Sequence, residues 1–372
     1  MKKLLFLPLL FITRPAKISS SKNIRVVFRW LKLAVAAWLM IFLYNVFMPR
    51  TYGTPPRQKS PVMQYWDLPT GSRIAYAFLP GQGIRKPNPI IYLEGGPGGF
   101  ISGQAVAMLR PLTEDGYDVY LYDQVGGGLS TRLKNIRDYT ADRHKRDLEA
   151  IVAAIGTRKV ILIGQSWGAI LATLYVADNP GKVEKIVFTG PGPIYPIDQL
   201  LSRLPAPDSL QLRAPYYSNR QGNEKANNIR TRLMSFCATQ WGIKLASDKE
   251  ADDFGAYLTY EVNRSTVFDT SKIREMHQIP GAGFYCQVMT MRSLGHVKDP
   301  RPAIKGSPIP ILVMKGQADN QRWGYTHEYL DIFPNHRLAI IPHAGHFIYA
   351  EQPELYIRSI KDFLLVPGTP TP

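Results

Sequence analysis

The chain has 372 residues, with 45 Lys and Arg against 29 Asp and Glu, a formal net charge of +16. At 45% hydrophobic and 20% charged residues it carries enough apolar material for a sizeable core, which excludes global disorder. Two cysteines, Cys237 and Cys286, exclude a disulfide-framework miniprotein and a four-cysteine zinc site. Residues 1–60 hold eleven basic side chains and no acidic one, so most of the net charge is N-terminal. It lies beside apolar runs rather than on a folded basic face, which argues against nucleic-acid binding.

Two apolar runs occupy this basic N-terminal region. Leu4 to Ile12, behind Lys2 and Lys3, resembles a signal-peptide core, but Thr13-Arg14-Pro15-Ala16-Lys17 is a poor cleavage site. Leu33 to Met48 is uncharged and as a helix spans roughly 24 Å, with Lys32 and Arg50 able to snorkel and Trp30, Trp38 and Tyr44 placed for the interfaces. A transmembrane helix is predicted over about 31–49. A signal anchor, a cleaved signal peptide and a helix lying on the membrane all meet this pattern; the dense basic flank favours the first. Basic residues are far denser before the run than after it, which leaves the N-terminus cytoplasmic and the catalytic domain extracytoplasmic, in a bacterium the periplasm.

After the Pro-rich, basic linker Pro49 to Pro61, strand and helix patterns alternate. Val62–Leu68 and Arg73–Leu79 read as antiparallel strands around Pro69-Thr70-Gly71. Short apolar strands follow at Pro89–Leu93 and Tyr117–Tyr122, then a helix at Ala141–Ile155 with Leu148, Ile151, Val152 and Ile155 on one face. Val160–Ile163 and Val183–Phe188 read as buried strands around a helix at Ala169–Ala177. Residues 191–302 are polar and aromatic with weak helical patterns. Strands return at Pro310–Met314 and Leu338–Ile341, and a helix over Pro353–Leu364 closes the chain. This order predicts a mostly parallel α/β sheet with helices on both faces, built from 61–190 and 303–372, with a helical cap inserted at 191–302.

The most informative motif is Gly164-Gln165-Ser166-Trp167-Gly168, set between an apolar strand and a helix. A serine on that tight turn projects its Oγ above the strand ends as a nucleophile. A serine needs a base, and the base needs an acid to hold it. Asp319, in Lys315-Gly316-Gln317-Ala318-Asp319, and His346, in His343-Ala344-Gly345-His346, both follow late strands and lie on the same sheet edge as Ser166. His343 is the alternative base; Gly345 favours His346 by allowing a turn inward. Glu94-Gly95-Gly96-Pro97-Gly98-Gly99 follows the third strand and places backbone N–H groups for an oxyanion, from Gly96 or Gly95 together with Trp167. Asp123-Gln124-Val125-Gly126-Gly127-Gly128-Leu129-Ser130 ends the next strand and is expected to shape the pocket wall.

Together these motifs resemble the α/β-hydrolase serine peptidases of the proline iminopeptidase and tripeptidyl aminopeptidase type. The matching residues are Gly95 to Gly98, Asp123 to Ser130 and Gly164 to Gly168, within a likeness over about 62–192 and 308–366. The resemblance implies an α/β-hydrolase fold with a Ser166–His346–Asp319 triad and no cofactor or metal. It further implies aminopeptidase or iminopeptidase action on short peptides. Two positions depart from the pattern: Glu94 stands where iminopeptidases usually have His, and Val125 where they have Arg. In the cap, Tyr257-Leu258-Thr259-Tyr260-Glu261 resembles the aromatic–Glu segment that holds the substrate amine; an exposed helix glutamate is the alternative, and Glu94 is a second candidate. A carboxylesterase, lipase or thioesterase would use the same triad, and a silent fold used for binding is a third reading that the intact triad opposes. Cys237 and Cys286 are both in the cap, where an oxidising compartment allows a disulfide.

Overall fold

The computed structural model describes residues 22–54, 63–271 and 281–365. The Leu4–Ile12 run and part of the Pro49–Pro61 linker lie outside the described residues. Helix α1 (Lys22–Phe47) belongs to one compact unit, and the chain from Pro49 onward forms a second. The helix begins well before the predicted residue 31. Arg25, Arg29 and Lys32 interrupt the apolar run but not the helix, because long straight side chains propagate it readily. It stops ahead of Pro49, since the residue before a proline disfavours the helical conformation. Ile24–Phe47 is thus long and apolar enough to cross a membrane, a measure that an N-terminal signal sequence also meets.

In the second unit the strands are β1 (Met63–Asp67), β2 (Arg73–Leu79), β3 (Ile90–Leu93), β4 (Val119–Tyr122), β5 (Val160–Gln165), β6 (Val183–Thr189), β7 (Ile311–Gly316) and β8 (His336–Ile341). They form one sheet in the order β1-β2-β4-β3-β5-β6-β7-β8. The β1–β2 and β2–β4 pairs are antiparallel and every later pair is parallel. Short helices α2 (Gly103–Leu109) and α3 (Pro111–Glu114) follow β3, α4 (Ala141–Ile155) follows β4, and α5 (Trp167–Asp178) follows β5. The cap inserted between β6 and β7 holds α6 (Asn219–Ala226), α7 (Ile229–Phe236), α8 (Asp248–Asn263) and α9 (Phe284–Ser293), with α10 (Arg301–Ile304) leading back to the sheet. Helices α11 (Trp323–Ile332), α12 (Ile348–Glu351) and α13 (Pro353–Leu365) complete the chain.

Period-two alternation divides the core between the two sheet faces. Leu93, Leu162, Phe188 and Val313 face α4, α5 and α11, whereas Tyr92, Ile163, Val187 and Met314 face α2 and α13. Helix α5 is apolar on all sides, as a helix packed all round must be. The register sets the strand ends level: Leu93 pairs with Gly164, Gln165 with Thr189, Thr189 with Met314, and Gly316 with Ile341. The loops carrying Gly95, Ser166, Asp319 and His346 therefore leave the sheet from one edge. Phe188 is fully buried, with ring centroids 4.6 Å from Tyr329 and 6.0 Å from Phe333. Phe188→Ala should lower the unfolding free energy by about 3–5 kcal/mol in a denaturant titration, because a cavity is left between β6 and α11.

Candidate active site

The turn between β5 and α5 carries Ser166 at φ 54°, ψ −112°, a region that L-residues seldom occupy. Two glycines permit it. A Cβ on Gly164 would sit 2.6 Å from the Gly168 carbonyl oxygen, and one on Gly168 would sit 2.0 Å from the Leu93 oxygen. The Ser166 N–H donates to the Thr189 carbonyl at 2.9 Å, tying the turn to the end of β6.

The loop after β7 places Asp319 in the interior, where Oδ1 accepts from the Gln321 N–H at 2.9 Å and lies 2.8 Å from His346 Nδ1. Burial works against the Asp319 charge, but the Lys315 ammonium and then His346 hold its carboxyl well below the usual range. His346 is buried, and its backbone N–H donates to the Thr266 carbonyl at 2.6 Å. His343, the alternative base, is exposed and packs edge-on against Phe268 with a centroid separation of 5.1 Å.

Ser166 and His346 line one cavity of about 590 Å³ with Glu94 and the Gly95–Gly99 loop. Phe100, Leu258, Val288, Met291 and Phe347 make its apolar wall, and amides such as Gln104, Asn223, Asn263 and Gln287 its polar one. Among the described residues Glu94 is the sole carboxylate lining it, and no Lys or Arg does. Glu94 Oε1 accepts from the Gly95 N–H at 3.0 Å, and burial pushes the Glu94 pKa up to about 7. A carboxylate-held imidazole, a serine and a glycine loop lining one cavity are the groups that acyl transfer to water employs.

Glu261 is not brought to this cavity. Its neighbours Tyr260 and Val262 line it, but the Glu261 carboxylate is ion-paired with Lys225 of α6 at 2.9 Å. A carboxylate already matched to a lysine on another face of α8 is not placed to hold a substrate amine there. Cys237 and Cys286 are both buried and unpaired. Cys286 Sγ lies 3.1 Å from the Val125 carbonyl and 3.4 Å from His144 Nε2, and burial raises its pKa to about 12, so it is a thiol. His144, edge-on to Trp167 at 5.5 Å, is driven down to about 3 by burial and then by Arg143, and is neutral. No group of three or more metal-ligating side chains occurs among the described residues.

Gln124, expected with its neighbours to shape the pocket wall, has a further supporting role. Its Oε1 accepts from the Gly98 N–H and from Trp167 Nε1, both at 3.0 Å, and its Nε2 donates to the Glu94 carbonyl at 2.7 Å. One amide thus joins the glycine loop to the turn after Ser166. The adjoining Asp123 accepts from the Ile101 and Leu129 N–H groups at 2.7 and 2.6 Å. The available signal was the Asp-Gln pair at the end of an apolar strand, where polar side chains must find partners.

The chain belongs to the α/β hydrolase fold family, which it matches over residues 88–353. It is 25% identical over 300 residues to a proline iminopeptidase of Heyndrickxia coagulans, covering 79% of this chain and 96% of that one. Over 117 residues it is 33% identical to a proline iminopeptidase of Lactobacillus helveticus (strain DPC 4571), covering 31% of this chain and 39% of the other. Among solved structures, a thermophilic esterase from Thermogutta terrifontis has the same fold, with a TM-score of 0.56 and 19% identity over 81% of this chain and 97% of its own. An esterase from Exiguobacterium antarcticum has a TM-score of 0.54 and 15% identity over 82% and 99%. The chain is accordingly a hydrolase.

Gln124→Leu should leave the Gly98 and Trp167 donors buried without acceptors. A loss of about 2–4 kcal/mol in chemical denaturation is expected, accompanied by slower turnover as the glycine loop loosens.

Proposed function

We propose that this hydrolase is a serine aminopeptidase that removes residues from the N-terminus of short peptides. The observation that carries the reading is Glu94, which among the described residues is the lone carboxylate lining the cavity, with no Lys or Arg lining it, together with Ser166 and His346. A substrate ammonium is the natural counter-charge for such a group. In this scheme Ser166 Oγ attacks the carbonyl while His346 takes its proton, and His346 then gives that proton to the leaving amine. Asp319 holds the imidazole in place. Water enters by the same steps in reverse to release the acyl group. The Gly95 N–H is already used by Glu94, so the oxyanion donors are the N–H groups of Gly96 and Trp167. The apolar wall of Leu258, Val288 and Met291 supports an acyl ester as the second reading.

A fluorogenic panel of aminoacyl amides, tripeptidyl amides and acyl esters separates the two. Ser166→Ala should lower turnover by roughly 10⁴–10⁶ on every substrate that the enzyme accepts. Glu94→Gln keeps an acceptor for Gly95 but loses the charge. A charge-assisted bond is worth about 1.5–3 kcal/mol, so free-amine peptides should lose roughly 10–150-fold in kcat/KM while esters are spared. Equal loss on esters would make Glu94 a support of the glycine loop alone, and ester turnover without amide turnover would replace the peptidase reading. Glu94 titrates at about 7, and its protonated form attracts no ammonium. In the wild type, KM for free-amine peptides should therefore rise as pH falls through that value, with no matching rise for esters.

We further propose that α1 anchors the enzyme with its N-terminus in the cytoplasm and the hydrolase unit outside. Protease added to intact spheroplasts should digest a C-terminal tag. A protected tag would reverse the topology.

A further inference from the structure

Strand β7 reads Ile-Leu-Val-Met-Lys-Gly and is buried throughout. A lysine at its fifth position is costly to bury unless its charge is matched. The Lys315 Nζ donates to the Gln321 carbonyl at 2.7 Å and lies 3.4 Å from Asp319 Oδ2. Both side chains are closed to solvent. The two Asp319 oxygens are thereby divided. Oδ1 serves His346 and the Gln321 N–H, while Oδ2 makes no hydrogen bond among the described residues and faces the ammonium.

Among the described residues, Lys315 is the one Lys or Arg paired with Asp319. The end of β6 contributes Gly190, which has no side chain and backs directly onto His346 and Asp319. From α12, Glu351 spends its carboxylate on the Gly345, Phe268 and Asp269 N–H groups. His343 is exposed and packs against Phe268, and Glu94 and Tyr349 line the cavity.

We propose that Lys315 is a positioning residue of the catalytic centre, which fixes the Asp319 carboxylate and offsets its charge so that His346 stays available as a neutral base. The inference rests on the serine-hydrolase reading of Ser166, His346 and Asp319, and not on the choice between peptides and esters. A bare carboxylate beside an imidazole favours the imidazolium, which cannot accept the serine proton. An ammonium on the far side of that carboxylate opposes this effect. It also closes the turn from Lys315 to Gln321, so that Asp319 presents Oδ1 to His346 without searching for it.

The test uses the full chain in detergent and a fluorophosphonate probe, whose attack by Ser166 needs the neutral base but no substrate amine. Labelling rates are followed against pH for the wild type, Lys315→Met and Lys315→Gln. Removing a nearby positive charge favours the protonated base, so the acid limb of both variants should move up by about one pH unit. Lys315→Gln retains a donor for the Gln321 carbonyl and carries the measurement if Lys315→Met does not fold. A limb that stays in place or moves down in folded protein overturns the proposal and leaves Lys315 a core residue only. Failure of the probe to label the wild type at Ser166 would instead overturn the serine-hydrolase reading, a separate outcome.

Discussion

The backbone at Ser166 is the constraint around which three strands are arranged. Holding a non-glycine residue in that conformation costs about 1–3 kcal/mol. The cost is met by surroundings that leave the chain no alternative course: Ser166 N–H is bonded to the end of β6, Gly168 is pressed on the end of β3, and α5 behind it is buried along nearly its whole length. Because β3, β5 and β6 all touch the turn, the glycine loop, the serine and the strand end facing His346 keep fixed relative positions. Preorganisation of this kind lets a site stabilise developing charge without rearranging when the reaction occurs.

Charge is handled around that turn by pairing or by neutralisation. Asp319 remains ionised because a lysine and a histidine face it, whereas His144 is neutral because burial, and then Arg143, oppose its charge. Cys286 keeps its proton for the same reason of burial. Glu94 falls between these cases: half-buried, with one oxygen on a backbone N–H and an open cavity before it, it titrates near neutrality. Among the described residues that line the cavity, Glu94 is thus the carboxylate that titrates near neutrality.

Strands buried on both faces were legible in the sequence as unbroken apolar runs, and the helix over Ala141–Ile155 by its spacing. Strand β8 was less so, because it begins with exposed His336 and Arg337 at the sheet edge. The cap helices α6 and α7 are short, with eight residues each, yet both carry legible start signals, the capping boxes Ser218/Gln221 and Asn228/Thr231. Glu261 was misplaced for a geometric reason. Successive residues on a helix point about 100° apart, so an aromatic–Glu segment does not reveal which member turns inward. Lys315 was read as the residue that follows the strand Pro310–Met314, whereas β7 runs on through it, and its partner four residues later is defined by the loop that folds back over it. Gln124 was placed on the pocket wall, but its three bonds reach residues distant in sequence, from 94 to 167.

The stretch Thr266–Asp269, which follows α8, is bonded to the segment around His346 at several points. Its Thr266 carbonyl receives the His346 N–H, and Glu351 receives N–H groups of Phe268 and Asp269 together with that of Gly345. Loops and insertions are ordinarily where a fold tolerates change. Here a stretch within the insertion is continuous, through hydrogen bonds, with the segment that carries His346. Grafting the cap of a related hydrolase onto this sheet would therefore have to carry this four-residue stretch and an acceptor in place of Glu351 as a matched set. A chimera joined between them would inherit a pocket but not the seat of His346.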